Sequence, residues 1–494
     1  PKLLRKVCET SYMMKRILVV GSGNAGLITA TILKKRLGIQ VDVISSKSID
    51  IVGVGEGSTE HFSEYMRFVG ILPIDLIKHC GSTFKSGIMF EGWGDNDYLH
   101  SVTNKYLKPL GQYQPILAKQ IIERYPMTSE YLWDNKLDKW YLTQEKQQFE
   151  QYHFDSRKLN DFLINFSKKM GIGFYDDKIK NVIISDNGDI EMLVGEYSNY
   201  DYDFYIDATG FRKVLIGEMG VNWNSYGEYL KMNSAITFQT DEEDEYNLWT
   251  LSKTMDAGWL FRIPVQDRYG NGYIFDDNYI TEEQAKKEVE NYFNKEIDFG
   301  KKFKFDPGAV DRAWINNCVA VGLSSAFVEP LEASSIGTTI QQSFLLMHRI
   351  TNYNEKSIEM YNKSFNDIMV NTRDFIALHY VTNKCNTKFW KDMSKVELPE
   401  TLKHNLEIWK NKLPISDDFS NLSQYKLFDS NNYIMILDGL LLFDIDSIEK
   451  EFESLNDEIK KEIADVTNMM IVEDNDIDEI GHKEYIKLMR TLPI

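Results

Sequence analysis

Six residues, Gly21-Ser22-Gly23-Asn24-Ala25-Gly26, set glycines at the first, third and sixth places of a tight turn. Glycines there let the backbone approach a pyrophosphate, and a helix leaving the turn supplies free amides and a positive dipole end. The acid that usually holds a ribose hydroxyl belongs about 20 residues later. Ser45-Ser46-Lys47 stands in that place, so only a serine hydroxyl is on offer, a weaker partner than a carboxylate. Lys85 lies in an alternating segment. By pattern alone it reads as a solvated edge lysine, whereas burial would shift it toward the neutral, nucleophilic amine. Glu332 follows Pro330 and precedes a helix, where a carboxylate complements the helix dipole or serves as an acid or base. Ser334 and Ser335 are expected to cap that helix, whose first amides form an anion site. Cys8, Cys80, Cys318 and Cys385 are scattered without CxxC spacing, so neither a zinc site nor a disulfide scaffold is expected. No HExxH or other metal spacing and no GxSxG elbow occur, so no metal is assigned.

These groups need elements to position them. Ile17 to Val20 is apolar on both faces, as a central parallel strand requires. Leu27 to Leu37 reads as a helix ending at Gly38, and Val41 to Ile44 as a second strand, completing a βαβ unit. Thr83 to Phe90 reads as one alternating strand with an apolar face, and Gly87 leaves room beside Lys85 for a channel. A second βα block spans about 155 to 215 and ends in Phe204-Tyr205-Ile206-Asp207. Leu260 to Phe275 reads as a hairpin turning at Gly270-Asn271-Gly272. Cys318 to Gly322 reads as another strand. Ile336, Ile340, Phe344 and Met347 recur at helical spacing.

Length and composition bound the rest. At 494 residues the prior is about three domains or one large α/β body with insertions. The division expected is a sheet body over 14–94 and 150–350, and a helical substrate module over 95–149 and 351–494 that ends in an acidic tail. Residues 1–13 are expected to be a disordered extension ahead of a start near Met14. The 56 basic and 75 acidic residues leave a formal charge of -19, which repels phosphate backbones and argues against nucleic acid. No apolar run reaches the roughly 18 residues of a membrane span, and no signal segment opens the chain. Reduced thiols in the cytoplasm are the expectation.

Taken in order, several blocks resemble the flavin-dependent halogenases of the tryptophan-halogenase type. They are Gly21 to Gly26, Val52-Gly53-Val54-Gly55-Glu56-Gly57-Ser58, Thr83 to Ile88, Asp207-Ala208-Thr209-Gly210-Phe211-Arg212, Phe327 to Ser334, and Arg373 to Tyr380 with Phe389-Trp390. The resemblance implies an FAD-binding, Rossmann-like, flavin monooxygenase-like α/β fold with a mainly helical substrate module. It implies FAD supplied reduced by a separate flavin reductase, O2 and halide as co-substrates, and an electron-rich aromatic substrate of indole or phenol type. A homo-oligomer is a family-based expectation. By the resemblance, the flavin is held by Gly21, Gly23, Ala25, Gly26, Ser46, Val54, Gly57, Ile179 and Leu323. Lys85 handles the oxidised halogen, by hydrogen-bonding hypohalous acid or by forming a haloamine. Glu332 stabilises the arenium ion or takes its proton. Backbone groups of Ser334 and Ser335 hold halide; the family's usual second residue is glycine, and its replacement by Ser335 leads us to expect a preference for bromide or iodide. Trp259-Leu260-Phe261-Arg262-Ile263-Pro264 resembles the W-x-W-x-I-P signature with Phe261 in the second aromatic place. His100 and His379 read as satisfied polar residues without a catalytic assignment. A flavin hydroxylase of the same fold shares the glycine loop but does not explain Lys85 with Glu332. A non-catalytic scaffold is the third reading.

Overall fold

The computed structural model describes residues 14–46, 55–101, 113–124, 130–143, 150–475 and 477–492. The expected extension over 1–13 and residue Val54 therefore lie outside the described residues. The run Ile17-Leu18-Val19-Val20 forms the strand Arg16–Val20 inside a six-stranded sheet. Gln40–Ser45 and Phe204–Asp207 flank it, both parallel. Gly173–Asp176 and Cys318–Ala320 extend the parallel set, and Trp314–Ile315 closes one edge antiparallel. A strand covered on both faces needs apolar side chains on both. Ile17, Leu18 and Val19 are fully buried, and each such side chain contributes roughly 1.5–3 kcal/mol.

The helix Asn24–Leu37 leaves straight from the glycine turn, three residues before the expected Leu27. It stops at Gly38, whose φ of 66° is the left-handed cap that glycine accepts readily. Two further helices, Ser156–Lys169 and Ser334–Arg349, pack against it.

A second sheet runs in the order Phe303–Lys304, Ser234–Asp241, Arg268–Phe275, Gly258–Val265, Trp249–Met255, Gly87–Glu91 and Tyr98–Ser101. All its pairings are antiparallel except Gly87–Glu91 with Trp249–Met255. The expected hairpin is present, but its turn is not the Gly270-Asn271-Gly272 triplet, which lies within a strand. The chain turns at Gln266 and Asp267, where Asp267 takes φ 74°. Glycine at 272 instead makes room for a ring across the pair: a Cβ there would sit 2.4 Å from Phe261.

The single strand expected over Thr83 to Phe90 is two. Thr83–Phe84 pairs with Tyr152–Phe154, and Gly87–Glu91 joins the second sheet. All eight residues are buried, so the alternation does not separate a wet face from a dry one. Gly87 opens no channel either: a Cβ would lie 2.3 Å from the His100 carbonyl oxygen, so the glycine permits close strand packing.

Past residue 350 the chain is mostly helical, with Glu355–Leu378, Lys388–Met393, Glu400–Trp409, Ser430–Gly439, Ile445–Glu453, Asp457–Asn475 and His482–Thr491. The short strand Glu479–Gly481 pairs with Lys136–Asp138 of the insertion. One apolar core runs from Ile17 through these helices to Ile486. No helix among the described residues is long and apolar enough to cross a membrane.

Candidate active site

The glycine loop is shaped by close backbone approach. Gly21 has φ 118°, and a Cβ would fall 2.2 Å from the Ala208 carbonyl oxygen. At Gly26 a Cβ would meet the Gly21 carbonyl oxygen at 2.1 Å. Gly23, by contrast, would meet nothing within 4 Å. Two glycines thus fold the loop and the third opens a cradle at the start of the helix, a shape that fits a pyrophosphate. Ala25 faces the turn Gly322–Ser324, which brings Leu323 to the same loop: a Cβ on Gly322 would be 2.6 Å from Ala25. Ser46 follows Ser45, whose carbonyl accepts the Asp177 amide, two residues before Ile179. These residues together fit a bound FAD.

Asp207 does not face outward from this loop. Its carboxylate accepts from the amides of Thr209, Leu215 and Ile216 and from the hydroxyls of Thr209 and Ser324. It ties the strand end to the turn carrying Leu323.

Gly57 belongs to a different neighbourhood. A Cβ there would be 3.3 Å from Lys85 Nζ and 3.4 Å from Thr250 Oγ1. Lys85 occupies the break between the two short strands. Its amide bonds the Gln151 carbonyl at 3.0 Å, and the next amide, of Ser86, bonds the Leu248 carbonyl at 2.6 Å. The backbone is therefore held on both sides of the side chain. Lys85 is 1% exposed, and Nζ donates to the Ser58 carbonyl oxygen at 2.8 Å. Burial lowers its pKa to about 8 against the opposing pull of the Glu332 and Glu60 carboxylates. His153 lies nearby, bonded to Thr83 and Thr250, and burial followed by the charge of Lys85 keeps it neutral.

Glu332 closes the short turn Pro330–Glu332, and Ala333 in the left-handed region at φ 53° redirects the chain into the helix. Its buried carboxylate receives His100 Nδ1 at 2.9 Å on both oxygens and His379 Nε2 at 2.9 Å on Oε1. Burial alone would raise its pKa, but the two imidazoles outweigh this and hold it at about 2. Both side chains are buried, and the Glu332 carboxylate opposes the lowering of Lys85. The structure also supplies two partners of Glu332 that the sequence reading left unassigned, His100 and His379. They come from positions 232 and 47 residues away, and no local spacing signals either contact.

Ser334 and Ser335 are not caps. They are the first two residues of the helix Ser334–Arg349, Ala333 is the N-cap, and no side chain bonds the helix start. The left-handed Ala333 puts both serines inside the first turn. Ser334 Oγ is buried without a hydrogen-bond partner among the described residues. The same helix end abuts the residue next to Lys85's acceptor: a Cβ on Gly337 would be 2.8 Å from Thr59 Oγ1. The first turn of that helix, Ser58, Gly57 and Lys85 therefore form one continuous neighbourhood.

The aromatic strand joins this site through a residue the sequence reading did not single out. Glu329 is buried, accepts Trp259 Nε1 at 2.8 Å and Tyr380 Oη at 2.7 Å on Oε2, and is pushed up to about 7 by burial. Phe261 is buried beside Trp259, with ring centroids 6.1 Å apart.

The sequence profile of the tryptophan halogenase family matches residues 16–445. The chain is 27% identical to tryptophan 6-halogenase SttH of Streptomyces toxytricini over 90% of this chain and 94% of that protein. It is 26% identical to tryptophan 7-halogenase RebH of Lentzea aerocolonigenes over 87% and 90%. Among solved structures, Tar14, a tryptophan C-6 flavin-dependent halogenase (chlorinase) from taromycin biosynthesis, superposes with a TM-score of 0.85 at 25% identity. That superposition covers 97% of this chain and 100% of the other.

Proposed function

Because the chain belongs to the tryptophan halogenase family, we propose that it halogenates an electron-rich aromatic ring through a halogen carried by Lys85 and a proton accepted by Glu332. Family membership makes it an FAD-dependent halogenase that uses reduced FAD, O2 and halide. A separate flavin reductase supplies the reduced cofactor. Reduced FAD with O2, when bound, provides the two-electron oxidation that turns halide into hypohalous acid.

The protein's own part begins with binding. The glycine cradle at Gly23 and the first amides of its helix take the pyrophosphate, with Leu323 and Ile179 as further flavin contacts. The first-turn amides at Ser334 and Ser335 hold halide. Lys85 then receives the oxidised halogen. With its pKa at about 8, part of the population is neutral amine near pH 7–8. Hypohalous acid either hydrogen-bonds to Nζ or reacts with it, forming an N–halogen bond and releasing water. In the haloamine route the ring carbon takes the halogen, the N–halogen electron pair returns to Nζ, and Nζ takes a proton from water to become the amine again; the ring proton that Glu332 accepts, later released to solvent, balances it. Glu332 is the adjacent carboxylate, buried and held ionised, and it accepts the ring proton as aromaticity returns.

The observation that supports this reading is a buried lysine, held on the Ser58 carbonyl, together with a buried, imidazole-held carboxylate at the start of the helix Ser334–Arg349. The substrate is proposed at the level of an indole or phenol, and the serine at 335 favours bromide or iodide over chloride. The test is an incubation of the protein with FAD, a flavin reductase, each halide and a panel of indoles and phenols. Mass spectrometry of the bromide reactions is expected to show a bromine isotope doublet. A product carrying only an added oxygen overturns the reading in favour of a hydroxylase, and an untouched panel with no retained flavin favours a scaffold. Chloride winning an equal-concentration competition overturns the halide preference alone.

A further inference from the structure

Hydrogen-bond accounting around Glu332 fixes where its protons are. His379 Nδ1 lies 2.8 Å from the Phe375 carbonyl oxygen, which can only accept, so Nδ1 carries a hydrogen. His379 Nε2 lies 2.9 Å from Glu332 Oε1, so one hydrogen is shared between those two atoms. The other imidazole is fixed independently. Asn432 Oδ1 accepts the Asp429 amide at 2.9 Å, which leaves its Nδ2 as the atom 3.2 Å from His100 Nε2. His100 Nε2 therefore accepts, and its Nδ1 donates to Glu332. His100 brings no spare proton, so of the two imidazoles it is His379 that shares a mobile proton with Glu332.

From this geometry we propose that His379 is a positioning residue that keeps the shared proton on its own ring, so that Glu332 waits as a carboxylate whose Oε2 takes the proton leaving the arene. The proposal rests on the halogenase reading and adds to it the residue and the oxygen atom. Oε1 is occupied by both imidazoles, whereas Oε2 shares only the His100 donor. In the step itself the ring C–H bond breaks, its electron pair restores aromaticity, and the proton forms an O–H bond at Oε2. His379 keeps its proton throughout, and no oxidation or reduction occurs.

The surroundings suit a charged ring at 379. Phe90 lies 4.9 Å, Phe375 5.1 Å and Trp93 6.4 Å from it, centroid to centroid. Phe90, the nearest, lies within the distance at which a ring stabilises a cation. The other titratable groups near the carboxylate are Lys85, His100 and the Tyr98 hydroxyl, the last without a hydrogen-bond partner among the described residues.

Two measurements test this. The first is nitrogen-15 NMR of histidine-labelled holoenzyme at neutral pH, which needs no turnover. His379 is expected to show both nitrogens protonated, and this signature is expected to be lost in Glu332→Gln. An unprotonated Nε2 in the wild type overturns the proposal, whatever the halogenation assay gives. The second uses His379→Gln, which keeps a donor toward Oε1 but no mobile proton, with His379→Phe beside it. Both are expected to lower kcat with KM nearly unchanged, His379→Phe by ~10²-fold or more. Both are also expected to reveal a primary isotope effect with ring-deuterated arene that the wild type lacks. Reduced kcat without an emerging isotope effect overturns the proposal while leaving the bromine doublet, and thus the halogenase reading, intact.

Discussion

Lys85→Met separates a residue kept for chemistry from one kept for the fold. An ordinary lysine titrates at 10.5, and burial brings this one to about 8. That gap, at about 1.36 kcal/mol per pH unit, comes to roughly 3 kcal/mol of cost for holding the ammonium in place. The unfolded chain binds more protons than the folded one between pH 8 and 10.5. Stability therefore rises with pH across that window, and the full cost is felt below pH 8. Methionine keeps the apolar stem and removes the charge. It also removes the donor to the Ser58 carbonyl, and stranding that buried acceptor costs about 1–3 kcal/mol. The balance is a variant as stable as the wild type, or more stable by about 1–2 kcal/mol, at pH 7. Its advantage should shrink as pH rises toward 10. Urea denaturation at pH 7 and pH 9.5, followed by tryptophan fluorescence, reads this directly. The variant should retain FAD and lose arene halogenation. A loss of several kcal/mol at pH 7 would make Lys85 a structural strut and refute the reasoning.

Glu332→Gln leaves the two imidazoles a neutral amide that cannot take a proton, so arene halogenation should fall by ~10²-fold or more, read as product per turnover of reductant. Gly21→Ala forces a Cβ to 2.2 Å from a backbone oxygen at φ 118°, so purified protein should lose its flavin absorbance. His482→Ala strands the Phe84 amide, which donates to His482 Nε2 at 3.0 Å, and the Tyr246 carbonyl, 3.1 Å from Nδ1. About 1–3 kcal/mol for each stranded group should appear as a lowered Tm, together with reduced turnover, because Phe84 adjoins Lys85. His482 lies beyond residue 445, so a segment outside the family match braces the proposed halogen carrier.

Much of the body was legible because local signals and global placement agree there. The apolar run at Ile17 to Val20, the glycine turn and the Gly38 stop each obey a short-range rule, and each lies where that rule puts it. The errors share a cause. Gly87 and Gly272 were read as a channel and a turn, but each exists to admit a group from another strand: the His100 carbonyl and the Phe261 ring. Glycine reports a close approach without naming what approaches. The serines at 334 and 335 were read as caps because their type suits one; the left-handed Ala333 that displaces them carries no compositional mark. Lys85 sat in an alternating pattern that normally means exposure, yet strands from three parts of the chain cover it. His100, His379 and Glu329 lie beyond sequence reasoning for the same reason: His100 and His379 reach Glu332 only when the helix Glu355–Leu378 and the strand Tyr98–Ser101 meet at the Pro330–Glu332 turn, and Glu329 needs Trp259 from the strand Gly258–Val265 as well as Tyr380.

The fate of the halogen in Lys85→Met is the most direct probe of the whole account. Wild type and variant, each with FAD, reductase, bromide and an accepted arene, are assayed in parallel for brominated arene and for free hypobromous acid caught by monochlorodimedone. The variant is expected still to make the oxidised halogen and release it to the trap while arene bromination disappears. Bromination of the arene by the variant at the wild-type rate and ring position would contradict this.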